Sequence, residues 1–289
     1  MIVNYETAAD TEALVASLDV PDLEVIVVDN ASSQPPAVRT DSARLLQLKQ
    51  NVGWARGSNA GADAARAPVL AFVNADARPT PDDIRSMGAS LTDPSVGAVA
   101  PRFLDLDGSP QAFYFRFPGV VSGLFCFLPT GQRIDRWMGS PFIRHRTYSA
   151  GADLPTDVDQ PGAACLLVRR DDFVAIGGFD EDTFLFFADT DLCLRLRQRG
   201  QEVLVRWDVD VVHAGGASVS LLSQNALRAH VQRDYLVYLR RHHGSAAVLL
   251  TKAAALVLSG LLPAMWHLLR LRPRASWEQL RTTMHVVAP

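Results

Sequence analysis

An α/β domain built on a mostly parallel, doubly covered sheet is what the sequence predicts, on three observations. Apolar runs of strand length recur at 23–28, 44–48 and 68–73, the pattern of strands buried on both faces. Stretches of helical spacing separate them, as in alternating βαβ units. Polar residues (Asn4, Asp29 and Asp76) stand where the runs stop, and open α/β sheets bind ligands beyond the carboxyl ends of their strands.

The elements follow in order. Ile2-Val3-Asn4 is a short first strand, and residues 7–18 carry Leu14, Val15 and Leu18 at helical spacing. Residues 23–28 form a second strand ending in Asp29-Asn30, and 44–48 a third. The Ala-rich stretch 55–65 is a helix, 68–73 a strand stopped by Asn74-Ala75-Asp76, and Pro81 opens the next helix. A strand at 96–100 precedes residues 105–159, rich in Pro, Gly, Arg and aromatics. That stretch is read as loops and short elements. Order returns with a strand at 162–168, helices at 171–176 and 189–199, and two short strands at 202–205 and 209–213. From 223 onward the pattern is helical. The expected division is an α/β domain over 1–220, its first part about 1–104 and its second about 105–220. A helical extension covers 221–289.

Composition narrows the class. The 289 residues are 48% hydrophobic, too apolar for a disordered chain. A net charge of −3 argues against a dedicated nucleic-acid binder. The three cysteines, Cys126, Cys165 and Cys193, form no CxxC pair, so neither a disulfide framework nor a cysteine-built zinc site is expected. The N-terminus has no basic n-region or long apolar stretch and is not read as a signal peptide. Residues 245–269 approach the roughly 20 apolar residues of a membrane span, but Lys252, Pro263 and His267 interrupt them. Arg240, Arg241 and His242 flank one side, and Arg270, Arg272 and Arg274 the other. Ordinary packing helices, helices lying in an anionic membrane surface and a true span all remain open.

Each candidate functional residue has two readings. Asp29 can accept hydrogen bonds from a base or ribose, or cap its own turn with Asn30 and Ser32. Gly53 and Gly57, at the entry of a helix, let backbone N–H groups approach an anion, and Arg56 adds a cationic fork; the same glycines suit a tight turn into a closely packed helix. Asp76 can hold a hard divalent cation against a diphosphate, with Asn74 adding an oxygen or orienting the loop; an Asx-turn is the alternative. Asp189, beside Phe186 and Phe187, is expected to be desolvated and so a better base, while Asp191 favours the helix N-terminus through the dipole. His213, at a strand end before two glycines, either completes a metal site with Asp76 or is a hydrogen-bonded structural histidine.

Seven motifs in order give these pieces a family. They are Val-Asn-Tyr at 3–5, Val-Val-Asp-Asn-Ala-Ser-Ser at 27–33, Asn51-x-Gly53-x-x-x-Gly57-x-Asn59-x-Gly61 and Val-Asn-Ala-Asp at 73–76. Gly-Gly-Phe-Asp-Glu at 177–181, Phe-Phe-Ala-Asp-Thr-Asp-Leu-Cys-Leu-Arg at 186–195 and Val-Val-His-Ala-Gly-Gly-Ala-Ser at 211–218 complete the set. Over residues 1–220 the chain resembles the inverting glycosyltransferases of family 2, in particular their bacterial rhamnosyltransferase-like branch.

The resemblance implies a GT-A fold: a mixed, mostly parallel sheet flanked by helices, followed here by the helical C-terminal extension. It implies a nucleoside-diphosphate-sugar donor, dTDP-rhamnose or a UDP-sugar, and a divalent metal, Mg²⁺ or Mn²⁺. Asp189 then corresponds to the catalytic base, Asp76 and His213 to metal ligands, and Asp29 to the reader of the nucleobase. Asn4, Tyr5, Asn51, Gly53, Arg56, Asn59 and Asn74 fall within the motifs that bind the nucleotide sugar. A cell-envelope or polyprenyl-linked glycan acceptor, cytoplasmic placement and peripheral contact with the inner face of the membrane follow as expectations. Two positions depart from the pattern. Asn74 replaces the first acid of the DxD-like motif, and Ala188 the Glu before the base; both motivate the alternative of a degenerate nucleotide-sugar-binding or scaffold protein. The Gln-x-x-Arg-Trp motif of processive relatives is absent, so a single sugar transfer is expected. A sugar nucleotidyltransferase is disfavoured because no Gly-rich basic loop follows the first strand.

Overall fold

The computed structural model of the protein describes residues 1–38, 40, 42–111, 113–120, 156–216 and 219–261. Expectations for 121–155 and 262–289, including Cys126 and the arginines at 270, 272 and 274, lie outside the described residues. The chain divides into two compact units: Met1–Phe117 with Thr147–Ser223, and Pro118–Arg146 with Gln224–Pro289.

The first unit holds the sheet. Its elements run β1 (Ile2–Asn4), α1 (Ala8–Ser17), β2 (Val25–Asp29), β3 (Ala43–Gln47), α2 (Trp54–Ala64), β4 (Val69–Asn74), β5 (Ala77–Arg78), α3 (Pro81–Ser90) and β6 (Val96–Leu104). They continue with β7 (Tyr114–Phe115), β8 (Gln160–Pro161), β9 (Cys165–Arg169), α4 (Arg170–Ala175), α5 (Ala188–Gln198) and β10 (Glu202–His213). Eight strands form one sheet in the order β3-β2-β1-β4-β9-β6-β10-β5, and β7 and β8 pair separately. Strands β3, β2, β1 and β4 are mutually parallel. Strand β9 runs antiparallel between β4 and β6, and β10 returns parallel to β6. The chain fills the sheet outward from β1 to β3 and then crosses to the other side for β4. The switch in strand order therefore falls between β1 and β4, where such sheets open a ligand crevice.

Packing explains the glycine pattern. Helix α2 lies on β1 and β2, and a Cβ at Gly57 would sit 3.1 Å from the Val3 side chain, while one at Gly61 would sit 2.9 Å from Met1. Residues 25–28 of β2 are wholly or almost wholly buried, as their unbroken apolar run requires. Helix α3 starts as its sequence dictates: Thr80 and Asp83 form a reciprocal capping box with Pro81 in the first turn.

Two readings need correction. The strands expected at 202–205 and 209–213 are one strand, β10, whose register slips between Arg206 and Asp210. The polar Trp207-Asp208 interruption marks an irregularity within a strand rather than a turn. The first strand after Pro94 extends through Leu104, beyond the apolar run at 96–100. In the second unit, α6 (Gln224–Ala255) breaks at Gly244, which sits at φ 80°, and leads into a π-helical stretch at Leu256–Leu261. Tyr235 and Tyr238 are buried on it. Among the described residues no helix is long and apolar enough to cross a membrane.

Candidate active site

A cleft of about 330 Å³ opens at the carboxyl ends of β1 and β4. Val3, Asn74, Ala75 and Asp76 form one wall, Trp54 and Leu185–Phe187 another, and Asp189 and His213 reach it from α5 and β10. Four of the predicted residues (Asn74, Asp76, Asp189 and His213) thus meet in one place although 139 positions separate the outermost pair.

Backbone pairing brings them there. Two-residue β5 runs antiparallel to the end of β10, with His213 opposite Ala77, and the Ala214 N–H donates to the Asp76 carbonyl at 3.0 Å. That pairing sets the imidazole beside the carboxylate: His213 Nε2 lies 3.5 Å from Asp76 Oδ1. Both side chains are almost fully buried, and Nε2 makes no hydrogen bond. A second pairing reaches Asp189. Strand β9 enters beside β4, so Ala164 accepts from the Asn74 N–H at 2.9 Å while the Ala163 N–H donates to Asp189 Oδ2 at 3.2 Å. Two small residues therefore tie the Asp76 loop to the Asp189 carboxylate.

The environment of Asp189 suits a proton acceptor. Burial raises its pKa above the usual carboxylate value, and hydrogen bonds from the Thr190 and Ala163 N–H groups only partly counter it. Phe187, the residue before α5, holds a left-handed backbone at φ 63°, a conformation that costs a non-glycine residue about 1 kcal/mol or more. Asp191 faces elsewhere: it is buried against Arg195, whose guanidinium also donates to the carbonyls of Ile176 and Gly178. It stands in the first turn of α5, the place the sequence reading gave it.

The other predicted residues form a polar frame outside the cleft lining. Asn4 is wholly buried. Its Oδ1 accepts from the hydroxyls of Thr7 and Thr11, and its Nδ2 donates to Asp29 Oδ1 at 2.7 Å and to Ser32 Oγ at 3.0 Å. All of its hydrogen-bonding capacity is used, so Asn4 positions Asp29 rather than facing a ligand. Tyr5 follows it, half-buried. Asn51 accepts from Asn30 Nδ2 and from the Gly53 N–H. At Gly53, with φ 87°, a Cβ would lie 2.4 Å from the Phe184 carbonyl oxygen, which instead accepts from the Trp54 N–H at 2.7 Å. Asn59 clamps the Gly-Gly-Phe-Asp-Glu turn through both atoms of its amide, and Arg56 donates to the Glu181 carbonyl at 2.9 Å. Of the two readings of the 53–61 glycines, close packing is what these contacts express.

Sequence reasoning missed Trp54, Phe113 and the Gly215-Gly216 pair as lining residues, and Gln111, which touches His213 at 3.1 Å. The Asp107-Gly108 turn was a usable signal for the last: it folds the chain back along β6.

Sheet order and cleft together define a GT-A glycosyltransferase fold. A mannosyltransferase from Pyrobaculum calidifontis, solved with GDP-Man and Mn²⁺, superposes with a TM-score of 0.53 at 18% identity, covering 99% of this chain and 84% of that one. GalNAc-T7, solved with UDP, GalNAc and Mn²⁺, gives 0.54 at 13% identity, covering 81% and 47%. The sequence profile described as glycosyl transferase family 2 matches residues 4–149, and the protein belongs to that family. It is a glycosyltransferase. Its relatives include the N-acetylglucosaminyl-diphospho-decaprenol L-rhamnosyltransferase of Mycobacterium tuberculosis, 27% identical over 262 residues that cover 84% of each chain. The dTDP-rhamnosyl transferase RfbF of Shigella flexneri is 26% identical over 259 residues, covering 84% of this chain and 80% of RfbF.

Proposed function

We propose that the protein transfers one sugar, with inversion, from a nucleoside-diphosphate sugar to a lipid-linked or cell-envelope glycan, using Asp189 as the base. dTDP-rhamnose is the preferred donor, supported by the two rhamnosyltransferase relatives; a UDP-sugar is the alternative. The observation that carries the reading is the single cleft in which a desolvated carboxylate faces an acid–imidazole pair. Asp189 takes the proton from the acceptor hydroxyl as its oxygen attacks the anomeric carbon, and the nucleoside diphosphate departs from the opposite face. One displacement inverts the centre.

A divalent cation fits the Asp76–His213 pair. A buried Nε2 without a hydrogen-bond partner, 3.5 Å from the Asp76 carboxylate oxygen, is the arrangement expected of two ligands that share one ion. Among the described residues no group of three or more His, Cys, Asp or Glu is placed to hold a metal. A cation held by this pair would take its remaining ligands from water and from the phosphates of the donor, as Mg²⁺ commonly does. When bound, such an ion offsets charge on the leaving diphosphate. Asp29, held by Asn4 and the Ser32 N–H, is assigned to the nucleobase or ribose. The lipid-linked acceptor, suggested by the mycobacterial relative's name, brings the enzyme to the inner face of the cytoplasmic membrane.

The test is a panel of dTDP-, UDP- and GDP-sugars with polyprenyl-diphosphate N-acetylglucosamine as acceptor. Nucleoside diphosphate release is read with Mn²⁺ and with EDTA. Acceptor-dependent release from dTDP-rhamnose supports the reading; release from none of the donors sinks it.

A further inference from the structure

We propose that Gln111 is a positioning residue that fixes His213 as the Nδ1–H tautomer and so turns the Nε2 lone pair toward Asp76. The inference about the tautomer stands on hydrogen bonding alone; its consequence for a cation rests on the metal reading above.

The orientation of the Gln111 amide is decided by its surroundings. One end lies 2.6 Å from Asp105 Oδ1 and 2.7 Å from the His213 carbonyl oxygen. A carboxylate and a carbonyl can only accept, so that end must be the NH₂, with both hydrogens used. The other end is therefore the amide oxygen, and it sits 3.1 Å from His213 Nδ1. An amide oxygen cannot donate, so Nδ1 must carry the hydrogen. Which ring nitrogen of a histidine is free to bind is set by the bond the other makes, and in the neutral ring here that is Nε2, buried and 3.5 Å from Asp76 Oδ1.

The fold delivers Gln111 to this point. Beyond β6 the chain turns at Gly108, whose φ of 83° favours glycine, with the Gly108 N–H donating to Asp105 and the Asp105 N–H to Ser109. Leu104 bridges Pro110, and the Gln111 N–H donates to the Phe103 carbonyl at 2.9 Å. Phe103 pairs with Val211 on β10, which places Gln111 beside the end of that strand. Phe103 and Phe113 then pack against the imidazole at ring-centroid distances of 5.9 and 5.2 Å. Gln111 thus grips both the backbone and the ring of His213, and Asp105 holds Gln111.

The proposal is tested on the full chain by long-range ¹⁵N–¹H NMR of the imidazoles at alkaline pH, where the ring signals no longer move. The His213 signal is identified by its loss in His213→Asn. Wild-type protein is expected to show the Nδ1–H pattern. Gln111→Met, which keeps the bulk and removes the acceptor, is expected to move His213 to Nε2–H, the form a histidine side chain prefers in water. Its affinity for Mn²⁺, read by the free-ion electron paramagnetic resonance signal in the presence of UDP, is expected to fall about 10–100-fold, the usual effect of losing a partner that orients a metal ligand. The pair Gln111→Glu with Asp105→Asn keeps an acceptor toward Nδ1 while giving up the bond to the His213 carbonyl, and is expected to retain the Nδ1–H tautomer. An Nε2–H form in the wild-type protein overturns the assignment, whatever Mn²⁺ does and whether or not the variants fold. A wild-type protein that shows Nδ1–H yet binds no Mn²⁺ sustains the assignment and overturns the metal reading instead.

Discussion

Replacing Asp189 by Asn separates chemistry from architecture, because the two side chains are nearly the same shape. The amide keeps the 2.8 Å bond from the Thr190 N–H to Oδ1, but presents NH₂ to the Ala163 N–H, 3.2 Å from the present Oδ2. One backbone donor is left facing a donor, a loss of about 1–3 kcal/mol. Against it stands the relief of a charge that burial disfavours. The two oppose, so urea unfolding at neutral pH should differ from wild type by less than about 2 kcal/mol. Catalysis has no such compensation. Loss of a positioned general base costs about 10²–10⁴ in rate, equivalent to about 3–5 kcal/mol of barrier. Turnover with saturating acceptor should fall by that factor, while calorimetric affinity for the nucleoside diphosphate changes by less than about threefold. An Asn variant retaining more than a tenth of wild-type turnover removes Asp189 from the base role. A variant whose nucleotide affinity collapses along with its activity shows a structural part instead.

Three further outcomes are expected. The raised pKa of Asp189 should shift the acid limb of turnover upward from where an ordinary aspartate would set it. Because this carboxyl binds its proton more tightly folded than unfolded, its contribution to stability falls as pH rises from its unfolded to its folded pKa; Asp189→Asn should abolish that decline in a pH series of urea melts. Asn4→Ala strips partners from Asp29, Thr7, Thr11 and Ser32 and should cost at least about 3 kcal/mol in unfolding, at about 1–3 kcal/mol for each of the buried groups Asp29, Thr7 and Thr11. A loss under 1 kcal/mol contradicts its role as hub. Gly53→Ala places a Cβ against the Phe184 carbonyl at a positive φ and should destabilise by about 2 kcal/mol or more, read by thermal unfolding; wild-type stability would show that this turn relaxes freely.

Burial was legible in the sequence, whereas direction and partnership were not. The run at 162–168 announces a buried strand, of which 165–168 lie in β9, but nothing in it says that β9 runs against β4; a strand covered on both faces has the same composition either way. Two-residue β5 is too short to carry a period, although its pairing with β10 is what joins Asp76 to His213. The glycines at 53, 57 and 61 illustrate a real degeneracy. A phosphate cradle and a close helix–sheet seam both require the absence of a Cβ, and only the neighbours, Phe184, Val3 and Met1, tell them apart. Asp76, Asp189 and His213 could be found because each ends an apolar run, where the fold itself concentrates functional groups. Gln111 lay in a stretch without periodicity, and its task depends on three partners, Asp105 and the ring and carbonyl of His213, that only the folded chain assembles.

Crystals grown with Mn²⁺ and dTDP, measured at the manganese absorption edge, test the shared cleft most directly. The expected result is an anomalous peak between the Asp76 carboxylate and His213 Nε2, with the diphosphate beside it and Asp189 open to the space where the sugar belongs. Manganese bound elsewhere, or a nucleotide lying outside the cleft walled by Trp54 and Asp189, would contradict the assignment of these three residues to one reaction.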